Sequence, residues 1–319
     1  MKILANDGLS DSGINALESA GHEVLQVRVA QEQLANYINE HEVDVLLVRS
    51  ATKVRKDLID QCLRLKIIGR GGVGMDNIDV EYAEKKGIKV INTPAASSSS
   101  VAELAFAHLI GAVRFLHHSN RNMPLEGDSK FKELKSGYSF GTELRGKTLG
   151  LVGYGGIAQE MAKLAVGCGM KVIVSRKKDV ESNLLTLTFF DGQEATFSIP
   201  NVSFDTLLSQ SDFISLHVPS DAGKLIDKKA LEKMKDGVGI INTARGEIMD
   251  EAALLEGIHS GKVAFAGLDV FENEPKPHIQ VLMNEQISLT PHIGASTVEA
   301  QDRIGTELAE QIIAFAKNV

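Results

Sequence analysis

A glycine-rich turn in the middle of the chain constrains the fold more than any other feature of the sequence. Thr148–Val152 is an apolar, strand-like run, and the motif Gly153-Tyr154-Gly155-Gly156-Ile157-Ala158 follows it directly. Apolar residues at helical spacing come next. In G-x-G-x-x-A between a strand and a helix, the first glycine permits a tight turn, the second lets backbone approach a pyrophosphate, and the small Ala158 permits close packing. The helix N-terminus adds free N–H groups for the anion. The turn therefore predicts a dinucleotide-binding unit.

The rest of the chain alternates short β-branched runs with segments of helical spacing, which predicts α/β architecture with parallel sheets covered by helices on both faces. The strands predicted in a first series are Lys2–Ala5, Glu23–Val29, Val43–Arg49, Lys66–Gly69 and Lys89–Asn92. Those predicted in a second series are Thr148–Gly153, Lys171–Ser175, Phe213–His217, Gly239–Asn242, Ala264–Leu268 and Ile287–Thr290. Between the two series we expect a helix reaching about Asn120 and then a polar stretch, Pro124–Gly146.

One segment, Asn183–Pro200, breaks this alternation. Its halves, LLTLTFF and EATFSI, flank Asp191-Gly192. Asp-Gly supplies the positive φ of a type I′ turn, so the segment predicts an inserted β-hairpin.

Length and composition exclude several classes of protein. At roughly 100–200 residues per domain, 319 residues predict two domains. A net charge of −8 without basic runs makes nucleic acid and anionic membranes poor partners. The most apolar stretch, Val101–Leu116, contains Glu103, His108 and Arg114, so we expect no membrane span. Two cysteines far apart in the sequence fit a reducing compartment, and we expect a soluble cytoplasmic protein.

Three consecutive predicted strands of the second series are followed by chemically reactive side chains. Arg245, Glu274 and His292 each lie in the loop after a strand, where parallel sheets bind their ligands. Arginine offers a fork for a carboxylate, histidine exchanges a proton near neutral pH, and glutamate can orient the imidazole. Alternatively, Arg245 pairs with Glu247 and Glu274 is an ordinary surface residue. No HExxH, paired CxxC or G-x-S-x-G motif is present, and we expect no metal site.

The end of the second strand of the dinucleotide unit carries Arg176, where an acid would normally bind the adenosine ribose. Arginine suits the 2′-phosphate of NADP. The alternative is a solvated basic loop, with an acid supplied by Asp179, or by Asp191 or Glu194 of the hairpin.

These motifs and several others resemble the D-isomer-specific 2-hydroxyacid dehydrogenases over the whole chain, and within that family the phosphoglycerate dehydrogenases most. The further segments that carry the resemblance are Val48–Val54, Gly69–Asp79, Asn92–Pro94, Ser100–Leu104, Asn242–Gly246, Leu268–Phe271 and Thr290–Gly294. The resemblance implies two doubly wound parallel-sheet domains, with a Rossmann cofactor domain inserted into a flavodoxin-like substrate domain. The substrate-binding domain would comprise residues 1–97 and 290–319, and the NAD(P)-binding domain residues 98–289, with the active site in the cleft between them.

The resemblance also implies roles for individual residues. Arg245 would hold the substrate carboxylate and carbonyl, His292 would be the acid–base, and Glu274 would pair with His292. Substrate would also meet the amides of Gly72, Val73 and Gly74, and its phosphate would meet Arg49 and Ser50. Asp269 would bind the nicotinamide carboxamide. The remaining residues implied to contact the cofactor are Gly153, Tyr154, Gly155, Gly156, Ile157, Arg176, His217, Pro219, Thr243, Ala244 and Gly294.

The reaction implied is hydride transfer between a nicotinamide cofactor and C2 of a D-2-hydroxy acid, with 3-phosphoglycerate to 3-phosphohydroxypyruvate, in serine biosynthesis, as the leading case. The protein would act on this small molecule as a homodimer. One alternative is a glyoxylate or hydroxypyruvate reductase, and another is a nucleotide-sensing corepressor-like protein on the same fold. The family's usual cofactor is NAD, whereas Arg176 favours NADP.

Overall fold

The computed structural model describes residues 1–177 and 180–317, so Lys178 and Asp179 lie outside the described residues. The chain divides into two compact units. Unit 1 comprises residues 1–100 together with the chain from residue 295 onward, and unit 2 comprises residues 101–294. The segment 290–294, which the sequence prediction placed with the substrate-binding domain, lies in unit 2, where three of its residues are hydrogen-bonded to Asp269.

Strands and helices alternate along most of the chain. The strands are β1 (Lys2–Ala5), β2 (Glu23–Leu25), β3 (Val45–Val48), β4 (Ile67–Arg70), β5 (Lys89–Asn92), β6 (Thr148–Val152), β7 (Lys171–Ser175), β8 (Ser182–Thr188), β9 (Glu194–Pro200), β10 (Phe213–Leu216), β11 (Val238–Asn242), β12 (Val263–Leu268) and β13 (Ile287–Leu289). The α-helices are α1 (Asp11–Ser19), α2 (Leu34–Glu40), α3 (Lys56–Gln61), α4 (Val80–Lys85), α5 (Ser98–Val113), α6 (Leu116–Glu126), α7 (Phe131–Gly137), α8 (Gly156–Gly167), α9 (Phe204–Gln210), α10 (Lys228–Lys233), α11 (Glu251–His259), α12 (Ile279–Leu282) and α13 (Val298–Ala316).

Unit 1 is built on a five-stranded parallel sheet of order β2-β1-β3-β4-β5. Its central strand β3 is entirely apolar and buried, as a strand covered on both faces must be. Helices α1 and α13 approach each other at Gly13 and Gly305. A Cβ on Gly13 would lie 2.7 Å from the carbonyl oxygen of Gly305, so only glycine permits this packing.

Unit 2 is built on a six-stranded parallel sheet of order β13-β12-β11-β10-β6-β7. Two separate apolar clusters pack in this unit, one including Leu254 of α11 and the other Met161 of α8. The predicted α/β fold with two doubly wound parallel sheets is therefore confirmed, and each loop that follows a strand of this sheet lies at the same sheet edge.

The inserted hairpin is present, but the predicted type I′ turn is wrong. Strands β8 and β9 pair antiparallel, and the loop between them closes with hydrogen bonds between Phe189 and Gln193 and from the Gly192 N–H to the Phe189 carbonyl. A type I′ turn needs positive φ at both central residues. Here Gly192 has a φ of +83°, but the φ of Asp191 is not positive. The loop is therefore a turn completed by one left-handed glycine.

The connection between the two sheets is more helical than the sequence pattern predicts. Helix α5 ends at Val113 because Phe115 adopts a left-handed conformation with φ of 55°, and α6 starts a new direction with Pro124 inside it. Within the described chain, no single helix is long and apolar enough to cross a membrane. Helices α5 and α6 meet those criteria only when combined across a 60° bend.

Candidate active site

The strand ends of unit 2 collect most of the residues implied by sequence. Because β6, β7, β10, β11, β12 and β13 run parallel, the loops after them emerge at one edge of the sheet. These loops carry, in chain order, the glycine-rich turn, Arg176, His217 and Pro219, Thr243 to Arg245, Asp269 to Glu274, and Thr290 to Gly294.

The glycine-rich turn has the geometry that a bound pyrophosphate requires. Gly153 has a φ of +92°, and a Cβ there would overlap the carbonyl oxygen of His217. Gly155 is the N-cap of the twelve-residue helix α8, no side chain caps this helix end, and no atom lies within 4 Å of a Cβ built on Gly155. The first N–H groups of α8, those of Gly156, Ile157 and Ala158, donate to no described backbone or side-chain acceptor, which is the arrangement that binds phosphate groups. Nearby, the Thr243 hydroxyl is buried and has no hydrogen-bond partner among the described residues, so the strand-end surface holds a polar atom suited to a ligand.

Arg176 lies beside this turn. Its guanidinium carbon is 5.7 Å from the centroid of the Tyr154 ring, a cation–π distance. Burial raises the pKa of the Tyr154 hydroxyl, and the charge of Arg176 opposes that rise. Arg176 also lines an open cavity of 640 Å³ together with Lys177, Glu181 and Ser203. Two cations and one acid therefore line this cavity next to the turn.

Asp191 and Glu194, the two acids of the hairpin, do not line the cavity that contains Arg176. The base of the hairpin lies beside β7, where Asn201 bridges to Val174. Six residue steps of β8 separate this base from the tip, about 20 Å at the usual rise of a strand. Asp191 accepts a hydrogen bond within the tip itself, and Glu194 accepts one from Thr188.

Arg245 is positioned by the loop after β11. The Asn242 side chain, completely buried, donates to the Arg245 carbonyl (2.8 Å) and accepts from the Ala244 N–H (3.1 Å). A Cβ on Gly246 would overlap the backbone of Phe271, so this loop lies directly against the loop that carries Glu274. The guanidinium Nη1 of Arg245 donates to the Ala244 carbonyl (2.7 Å), and the positive charge of Arg245 acts on Glu274.

His292 and Glu274 form a direct pair, with Nδ1 of His292 2.7 Å from Oε2 of Glu274. Their side chains are 41% and 36% exposed, so the imidazole is accessible to a substrate. Burial by itself would raise the pKa of Glu274, but the His292 bond and charge, the Phe271 N–H and Arg245 together hold that pKa below its usual value. A carboxylate that accepts Nδ1–H leaves Nε2 as the nitrogen that can take a proton.

Asp269 holds the segment that carries His292. It is 1% exposed, and Oδ1 accepts from the Thr290 hydroxyl (2.6 Å) and the Ile293 N–H (2.8 Å), while Oδ2 accepts from the Gly294 N–H (2.8 Å). Most of its acceptor capacity is used within the protein. The bond to a nicotinamide carboxamide implied by the resemblance thus has only the remaining lone pairs of this carboxylate available.

A buried histidine, which the sequence reasoning assigned only to an apolar helix, supports this network. Nε2 of His108 lies 2.9 Å from the Thr290 hydroxyl, and Nδ1 lies 2.8 Å from the Ser288 hydroxyl. Burial lowers the pKa of His108, although the Asp269 charge acts in the opposite direction. Since the Thr290 proton points to Asp269, His108 donates through Nε2. His108 lies in no motif that signals a role, because it acts only through tertiary contacts. Asn242 belongs to the segment Asn242–Gly246 that carries the resemblance, but the sequence pattern did not predict that its side chain positions the Arg245 loop.

The substrate residues implied in unit 1 lie after β3 and β4. Arg49 and Ser50 line an open cavity of 450 Å³ with Arg28 and Asp7. The Asp7 carboxylate accepts from the Arg49 backbone N–H (2.7 Å), while the Arg49 guanidinium makes no hydrogen bond or ion pair with the part of the chain that the structure describes. Two arginines around one cavity suit a dianion.

The glycine loop after β4 offers fewer amides than the sequence pattern implies. The N–H of Gly72 donates to the Thr93 hydroxyl (2.9 Å), and a Cβ on Gly72, whose φ is +140°, would overlap the Arg70 guanidinium. The Val73 and Gly74 N–H groups donate to no described backbone or side-chain acceptor. These two amides are the ones free to meet a carboxylate.

Comparisons with known proteins indicate a single family. Residues 106–294 match the family described as D-isomer specific 2-hydroxyacid dehydrogenase, NAD binding domain. The chain is 45% identical to a hydroxypyruvate reductase of Thermotoga maritima, over 98% of this chain and 97% of that protein. It is 40% identical to a D-3-phosphoglycerate dehydrogenase of Archaeoglobus fulgidus, over all of this chain but 58% of that protein, so it spans little more than half of that relative. Among solved structures it resembles a glyoxylate reductase from Paecilomyes thermophila, with a TM-score of 0.81 and 32% identity over 98% of this chain and 93% of that one.

Proposed function

The chain belongs to the D-isomer-specific 2-hydroxyacid dehydrogenase family, and from that premise we propose that it moves a hydride between a nicotinamide cofactor and C2 of a D-2-hydroxy acid. The observation that carries the proposal is the His292–Glu274 pair, which lies with Arg245 at the sheet edge that also presents the glycine-rich turn.

The chemistry follows from the positions of these groups. The nicotinamide, when bound, supplies the hydride acceptor for oxidation or the hydride donor for reduction. In oxidation, Nε2 of His292 takes the hydroxyl proton while the C2–H bond breaks, and the carbonyl forms. The Glu274 carboxylate at Nδ1 fixes the tautomer and stabilises the imidazolium. In reduction His292 returns the proton to the new hydroxyl oxygen.

Substrate orientation comes from cations and amides. The planar fork of Arg245 binds the substrate carboxylate and polarises the C2 oxygen, while the Val73 and Gly74 amides supply further donors to the carboxylate. Holding both groups fixes which face of C2 meets the cofactor.

The leading substrate is 3-phosphoglycerate, oxidised to 3-phosphohydroxypyruvate in serine biosynthesis. Its support is the cavity that Arg49, Ser50 and Arg28 line, because an unphosphorylated acid needs no additional cation there. Hydroxypyruvate or glyoxylate is the second candidate, favoured by 45% identity to the Thermotoga reductase over nearly the full length of both chains.

The experiment that separates these substrates is steady-state kinetics with 3-phosphoglycerate, hydroxypyruvate and glyoxylate, each with both cofactors. Arg49→Ala should reduce kcat/KM for 3-phosphoglycerate far more than for hydroxypyruvate, because a charged hydrogen bond to phosphate contributes about 1.5–3 kcal/mol. Lys85→Ala, at an exposed cation of α4 that does not line the cavity, is the control. Equal losses on both substrates in Arg49→Ala would place Arg49 away from the phosphate.

A cytoplasmic homodimer is the proposed working form. Apolar side chains on and after α5 to α7 are exposed, including Leu125, Phe131 and Phe140. Such a surface favours association with a second copy.

A further inference from the structure

A polar cluster separate from the His292–Glu274 pair includes residues of the loop between β12 and α12. It takes no part in the proposed hydride transfer. Its centre is Glu251, the first residue of α11, which is only 2% exposed. Oε1 of Glu251 accepts the Glu272 N–H (2.9 Å). Oε2 is buried and has no hydrogen-bond partner among the described residues. A buried carboxylate oxygen without a partner is costly unless a donor or a cation satisfies it.

Two other ligand groups converge on this carboxylate. One carboxylate oxygen each from Glu251 and Glu272 and one ring nitrogen of His278 all lie within 4.8 Å of one another. The Glu272 side chain is 22% exposed and His278 is exposed, so ions can enter from solvent. One imidazole and two carboxylates, with positions left for water, form a donor set that Zn²⁺ and similar borderline cations accept.

The charges around the cluster also favour a divalent cation. Lys224 pairs with Glu272 (2.8 Å) and is 3.5 Å from Asp250. Its single charge is therefore shared between two carboxylates, and Glu251 has no ion pair within the described chain. Asn273 contacts a ring nitrogen of His278 (2.6 Å), which leaves the other nitrogen for a ligand.

We propose that Glu251, Glu272 and His278 bind a divalent cation of the Zn²⁺ class. The cation would tie the start of α11 to the loop between β12 and α12. Glu274, the partner of His292, lies in that loop, so the cation would stiffen the support of the imidazole without contacting substrate. The site is independent of the proposed function.

The test uses the full chain, freed of metal with a chelator and assayed without substrate or cofactor. Titration with ZnCl₂, followed by calorimetry and by competition with a chromophoric chelator, should give one site per chain that Mg²⁺ does not fill. Zn²⁺ should also raise Tm, because a ligand that binds only the folded state stabilises it. Anomalous scattering at the zinc edge should place the ion among the three side chains.

Three variants decide the assignment. His278→Ala changes an exposed side chain and should keep the metal-free Tm while weakening Zn²⁺ binding by roughly tenfold or more. Glu251→Gln should lose the site as well, whereas His259→Ala, an exposed histidine outside the cluster, should bind Zn²⁺ like the unmutated protein. If His278→Ala binds Zn²⁺ as tightly as the unmutated chain, or if no single site is seen, the proposal is wrong.

Discussion

At the scale of single residues, His292 has an unusual backbone. Its φ of 55° is left-handed, a conformation that costs a non-glycine residue about 1–3 kcal/mol when it is enforced. The three hydrogen bonds that Asp269 accepts from the Thr290 hydroxyl and from the Ile293 and Gly294 N–H groups hold the segment in place against that cost. The buried Asp269 carboxylate, which follows the neighbouring strand β12, thus offsets the backbone strain at His292.

The role of His292 is tested by His292→Asn. Asparagine tolerates the left-handed conformation and is close in size, so the segment should keep its shape. Turnover should fall by roughly 10²-fold or more, the usual contribution of a general acid–base, while cofactor affinity changes little. Stopped-flow and steady-state kinetics measure both quantities. Near-normal turnover would remove His292 from the mechanism.

The cofactor preference depends on Arg176, where the family's usual acid is replaced by a cation. The hairpin acids lie at the far tip, and Asp179 lies outside the described residues, so Glu181 is the described acid that shares the cavity with Arg176. We predict that NADP is accepted at least comparably to NAD, because a guanidinium can pair with the 2′-phosphate. Arg176→Asp should shift the preference toward NAD.

Measurement of kcat/KM for both cofactors checks this prediction. Lys177→Asp makes the same charge change one residue along and should shift the preference less, since Arg176 is the residue ordered against Tyr154. A preference for NAD of roughly a hundredfold in the unmutated protein, about 2.7 kcal/mol, would show that the cation does not serve the 2′-phosphate.

At the scale of elements, the strands were predictable because buried parallel strands are short apolar runs with clear ends. Val45–Val48 and Thr148–Val152 fall within the predicted bounds. The helices after α5 were predicted only in part. The expected helix reached about Asn120, which lies inside α6, whereas Pro124 and the polar residues after it are typical of a loop. What places them in helices is tertiary and backbone context, including the left-handed Phe115.

The hairpin shows the same division between local pattern and context. The alternation of apolar and polar residues predicted where the hairpin lies. Its contribution to packing depends on Leu185 and Ile199, which are buried in the core of unit 2. Leu185→Ala should therefore lower the free energy of unfolding by about 2–5 kcal/mol, as for other buried leucines. Phe190→Ala, at the exposed tip of the same hairpin, should change it by less than about 0.5 kcal/mol. Urea denaturation of the two variants makes the comparison. Equal effects would show that the hairpin is not part of the core.

At the scale of the whole molecule, the sequence predicted which strand ends carry Arg245, Glu274 and His292, because parallel topology brings such ends to one edge. It could not predict that Gly72 loses its amide to Thr93, that Asp269 is engaged by the His292 segment, or that Glu251 meets Glu272 and His278. Each of these depends on contacts between residues from different loops, which no local spacing encodes.

Global stability should depend on pH through His217, which supports the glycine-rich turn and contacts the Ser215 hydroxyl (2.9 Å). Burial lowers the pKa of His217 to about 4, from an ordinary 6.5. The folded protein therefore keeps this imidazole neutral while the unfolded chain takes up a proton below pH 6.5. The stability contribution is complete above pH 6.5 and is lost as the pH falls toward 4.

Between pH 7 and pH 5, His217 alone should lower the free energy of unfolding by about 1–2 kcal/mol. Urea denaturation of the cofactor-free protein, followed by circular dichroism at several pH values, measures this loss. In His217→Gln the amide can keep the bond to Ser215 but cannot titrate, so the fall over this range should be smaller by that amount. His259→Gln, at an exposed histidine, should leave the pH dependence of the unmutated protein unchanged. Parallel curves for His217→Gln and the unmutated chain would mean that His217 is protonated as readily in the folded state as in the unfolded one.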